Sequence, residues 1–186
     1  MEKHLKYLQN IFLRMINEEI NNQTSLLVPV NERSMALLSC LHQSSKENDI
    51  WKKIIIHNKM GLNFKLQTGN INNTKVILFT DILEKESDIF DWYISLKEKG
   101  INVTILSIKE SINVFKELKQ EQNNKYNKEN SKMYIKELEE EFKNKKERHI
   151  LIESDITNYL LNNHKLLNYM NEFSYSLPFS FTGQTI

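Results

Sequence analysis

Glycine and proline are scarce in this chain, with 4 Gly and 2 Pro among 186 residues. Turn-dense sandwiches and barrels, collagen-like repeats and Pro-rich designs use more of both, so these architectures are disfavoured. The one cysteine, Cys40, rules out an intramolecular disulfide framework and any zinc site with more than one thiolate. Long apolar runs are missing too. The runs present, such as 54–56 and 76–79, are only a few residues long and fall far short of the roughly 20 residues that a membrane span needs. The N-terminal stretch reaches Arg14 without an apolar block of roughly 7–15 residues, so no secretory signal is expected. With a lone thiol, the expected compartment is the cytoplasm. A dominant charge is absent as well: 25 Lys and Arg face 24 Asp and Glu, for a net charge of +1. No global field draws the chain to nucleic acid or to a membrane, so neither is a favoured partner.

What is present suits a packed soluble domain. Hydrophobic residues make up 40% and charged residues 26%, close to a globular average. Lys outnumbers Arg by 22 to 3 and there are 23 Asn and 21 Ile, yet Ala occurs once, as Ala36. That skew resembles a coding bias, so single Asn or Lys residues carry little weight.

Leu5, Leu8, Phe12, Met15 and Ile16 recur at helical steps and predict an amphipathic helix. Residues 25–30 read as a buried strand, with Pro29 at its end or on an edge because it cannot donate to a central ladder. Asn31 caps a second helix running through Met35, Leu38 and Leu41. Residues 53–57 and 62–66 read as two strands of a hairpin around 58–61. Residues 75–80 are a buried strand, followed by an acidic loop and a helix over about 87–99. Gly100 stands where a left-handed C-cap belongs, and 102–108 form another buried strand. Two buried runs flanking an amphipathic helix make a βαβ unit with a parallel pair.

Residues 109–148 hold 11 Lys or Arg and 9 Asp or Glu. Their apolar stripes are Ile112, Phe115 and Leu118, then Tyr134 or Ile135 with Leu138 and Phe142, which predicts a charged helical protrusion, either a projecting helical hairpin or a long insertion between sheet elements. Glu139 with Lys143 and Glu141 with Lys145 stand at the favourable i,i+4 spacing. The polar stretch 120–130 carries no expected core residue. Residues 149–153 return to strand character, a last helix follows Ser154, and 174–186 form an unassigned tail.

Chemistry is thinly represented. Four carboxylates, Asp81, Glu84, Glu86 and Asp88, fall within eight residues beyond a parallel strand, the edge at which open α/β sheets bind ligands. Asp81, Glu84 and Asp88 could hold Mg²⁺, a hard cation that prefers oxygen, and a metal there would favour phosphate chemistry. The plainer reading has Ser87 or Asp88 cap the helix while acids collect at its positive end. Cys40 lies in an apolar helix, more in keeping with an inert buried thiol than a nucleophile. His4, His42, His57, His149 and His164 show no i,i+4 pairing, and Ser34 has no Gly-x-Ser-x-Gly setting. No glycine-built phosphate cradle is possible. The basic clusters are Lys52-Lys53 and Lys143, Lys145, Lys146 and Arg148, and the second follows Glu137, Glu139, Glu140 and Glu141, which cancel much of its field.

Residues 75–108, a Val-Ile-Leu-Phe-Thr-Asp strand, a helix and Gly-Ile-Asn-Val-Thr-Ile-Leu-Ser-Ile, locally resemble the later half of a von Willebrand A-type domain. The likeness covers under a fifth of the chain, and the stretch fits other Rossmann-like families equally, acidic-site nuclease folds among them. It implies a metal site that also uses an Asp-x-Ser-x-Ser loop after the first strand. Here that place reads Val30-Asn31-Glu32-Arg33-Ser34, without the Asp and the first Ser.

The expectation is one three-layer, Rossmann-like α/β domain over 1–186, with a mainly parallel sheet of about five strands and a charged helical protrusion. The expected function is a non-enzymatic interaction or assembly subunit, needing no cofactor, whose partner is another protein or a second copy. The alternative is a Mg²⁺-dependent enzyme acting on phosphate esters or nucleic acid, with Asp81 at its centre.

Overall fold

The structure is a computed structural model, and it describes residues 2–20, 25–45, 47–57, 62–63, 66, 74–110, 113–121, 126 and 128–145. In chain order the elements are α1 (Glu2–Glu19), β1 (Ser25–Pro29), α2 (Glu32–Ser45), a 3-10 turn (Asp49–Lys53), β2 (Ile54–Ile56), β3 (Lys75–Leu83), α3 (Ile89–Glu98), β4 (Val103–Glu110), α4 (Val114–Glu121) and α5 (Glu129–Asn144). The four strands form one sheet in the order β2-β1-β3-β4, and every pair is parallel. Continuous apolar runs suit such a sheet because helices cover both of its faces. All five residues of β1 are buried.

Side chains alternate between the faces. Leu27, Ile77, Phe79 and Leu106 pack with Phe12, Met15 and Ile16 of α1 and with Leu37, Leu38 and Leu41 of α2. Leu26, Val28, Val76, Leu78, Val103 and Ile105 point the other way. They pack with Phe90 and Tyr93 of α3, Leu118 of α4, and Ile135, Leu138 and Phe142 of α5. The result is a three-layer α/β arrangement. From β1 the chain first crosses outward to β2 and later, beyond β3, crosses the other way to β4. Right-handed crossovers in opposite directions put their helices on opposite faces, and α2 and α3 do lie on opposite faces.

Several local expectations hold. The Asn31 side chain accepts a hydrogen bond from the Ser34 N–H at 2.8 Å and so caps α2. Pro29 is the last residue of β1, and the ladder passes to the Val30 N–H, which donates to Phe79 O at 3.0 Å. Gly100 has φ +72°. Its N–H donates to Lys97 O at 2.9 Å while the Ile101 N–H reaches back to Leu96 O at 3.0 Å, the paired bonds of a Schellman cap.

Three expectations are corrected. Among the described residues no hairpin forms: β2 pairs in parallel with β1, Ser25 opposite Ile54, and Leu62, Asn63 and Leu66 are helical. A short apolar run carries no periodicity that separates a strand from a buried helical turn, and here the turn covers the sheet face that holds Leu26 and Val28. The charged helices α4 and α5 do not project. Ile135 and Leu138 are fully buried against α3 and the sheet, so α5 belongs to a layer and its charges are only its outer side. The stretch 120–130 does hold a core residue, because Tyr126 is 5% exposed and its hydroxyl donates to Asp91 Oδ1 at 2.6 Å. The strand at 149–153, the last helix and the tail lie outside the described residues.

Candidate functional site

Ligands of open parallel sheets bind beyond the carboxyl ends of the strands, where the winding reverses. Here that point lies between β1 and β3. The end of β1 leads into the first turn of α2, which carries Arg33 and Ser34. Strand β3 continues to Leu83, so Asp81 lies within the strand and not in the loop that the sequence suggests. Its alternation directs the side chain to the face covered by α2. There the Arg33 guanidinium forms an ion pair with Asp81 Oδ2. The Ser34 hydroxyl donates to Asp81 Oδ1 and accepts from the Asp81 N–H, each at 3.2 Å. Ser34 is fully buried and Asp81 is 7% exposed. These contacts clamp the start of α2 to the end of β3 and give the buried carboxylate both a counter-charge and a hydrogen-bond donor.

The other acids of the loop face water. Glu84, Glu86 and Asp88 are exposed. The Glu84 carbonyl accepts from the Ser87 N–H at 3.1 Å, closing the turn. Ser87 Oγ accepts from the Ile89 N–H at 3.3 Å, while Asp88, at the N-cap position of α3, makes no side-chain cap bond. Among the described residues, no three His, Cys, Asp or Glu side chains gather as metal ligands. The segment after β1 instead brings a cation, Arg33, to Asp81.

Comparison with known protein families, curated proteins and solved structures returned no match.

His57, just after β2, is buried, and its backbone N–H donates to Leu27 O at 3.1 Å. His42 is half-buried against Trp51, ring centroids 4.8 Å apart, and burial lowers its pKa. His149, His164 and the side chains of His4 and Cys40 lie outside the described residues. The basic clusters meet acidic partners: Lys52 pairs with Asp49 at 2.6 Å, and Lys143 with Glu139 at 3.1 Å. No helix among the described residues is long and apolar enough to cross a membrane.

The sequence reading missed a second polar cluster, at the opposite edge of the sheet. Glu19, the last residue of α1, is 5% exposed. It accepts from Lys75 Nζ of β3 at 2.8 Å and from Lys145 Nζ at the end of α5. Lys145 also reaches Glu141 at 2.5 Å, and the Thr104 hydroxyl of β4 donates to Glu141. Burial alone would raise the Glu19 carboxyl. Hydrogen bonds from Lys145 and Lys75, with their charges, outweigh it and hold the group below the usual glutamate range. The expected Glu141–Lys145 helix pair was the only trace of this network in the sequence.

Proposed function

We propose that this chain is a non-enzymatic protein-interaction or assembly subunit on an α/β scaffold, working in the cytoplasm with another protein or a second copy as its partner. The observation that supports this reading is the Arg33–Asp81–Ser34 clamp. The carboxylate on which an enzymatic reading centres is committed to joining α2 to β3. A divalent cation binding there would have to displace a guanidinium already in contact with it, or share the carboxylate with it.

A second reading is kept because of where Asp81 stands, at the carboxyl edge where the winding of the sheet reverses. In that reading Asp81, with Glu84 and Asp88, holds Mg²⁺ for chemistry on phosphate esters or nucleic acid. A titration with Mg²⁺ and Mn²⁺ followed by melting temperature separates the two, since a ligand stabilises the folded state that binds it. The interaction reading expects unchanged melting with either ion, and complexes or self-association in light scattering. A rise of several degrees in the wild type that vanishes in Asp81→Asn would overturn it and make this edge an active site.

A further inference from the structure

We draw no further inference here: the strongest candidate, an open pocket of about 280 Å³ alongside α3 between Leu66, Trp92 and Leu96, carries charges of both signs at Asp91 and Lys99, and nothing among the described residues shows what covers it.

Discussion

The Arg33 side chain is 39% exposed and that of Asp81 10%, so water reaches one partner of the ion pair and weakens the attraction between them. Asn at position 81 could still hydrogen-bond Ser34 but would leave the guanidinium without its counter-charge. We expect Asp81→Asn to cost roughly 1–2 kcal/mol, more than a turn-forming role alone would imply. A double-mutant cycle with Arg33→Gln, read from urea midpoints, should give a coupling of about 1 kcal/mol. Strict additivity would dissolve the clamp. Gly100 raises a purely backbone question. A Cβ built there meets no atom within 4 Å, yet φ is +72°. Gly100→Val should therefore cost about 1–2 kcal/mol and Gly100→Asn distinctly less, because Asn visits the left-handed region more readily than a β-branched residue. Equal melting midpoints for the two variants would mean that strain at this cap does not set the stability.

Among the elements, α5 depends on contacts distant in sequence. Its end is fastened to α1 and β3 through Glu19, Lys75 and Lys145. The folded-state pKa of Glu19 is depressed, so the unfolded chain takes up the proton first as pH falls. The stabilisation is fully present above the ordinary glutamate value, about 4.3, and is lost as pH drops through the lower folded value. Glu19→Gln should cost roughly 2–3 kcal/mol at neutral pH, since two part-buried ammonium groups lose a partner. It should also flatten the acid limb of stability against pH. An unchanged acid limb would show that Glu19 does not carry this linkage. Tyr126, between α4 and α5 in sequence, is buried in the core on the α3 side of the sheet. Its hydroxyl bonds a carboxylate, and Tyr126→Phe should cost about 1–2 kcal/mol. Deleting 120–130 removes a buried ring and should lower the melting temperature markedly. A deletion variant as stable as the wild type would show that the ring contributes nothing.

Across the whole molecule, both cores rest on one sheet, so we expect them to melt together. Phe12→Ala on the α1/α2 side and Leu138→Ala on the α5 side should each destabilise by about 3 kcal/mol, the range for emptying a buried site. Far-UV circular dichroism and tryptophan fluorescence should report one shared transition in both variants. Two separated transitions would make α5 an independent appendage, as its charged composition suggests. That composition describes only the outer side of the helix. The sequence alone determined what depends on neighbours within about a turn: the stripe of α1, the Asn31 cap, the Schellman glycine, the i,i+4 pairs of α5 and the buried runs of β1, β3 and β4. Tertiary structure decided which strands lie side by side, since the free edge of one strand offers its N–H and C=O groups alike to any other. The order β2-β1-β3-β4 gives β2 a parallel partner in β1 in place of the expected hairpin. Only that order brings Ser34 to Asp81 across 47 residues and Lys145 to Glu19 across 126. A carboxylate in a sequence carries a charge but no address; what answers that charge, a metal or an arginine, is set by the chain that the fold lays against it.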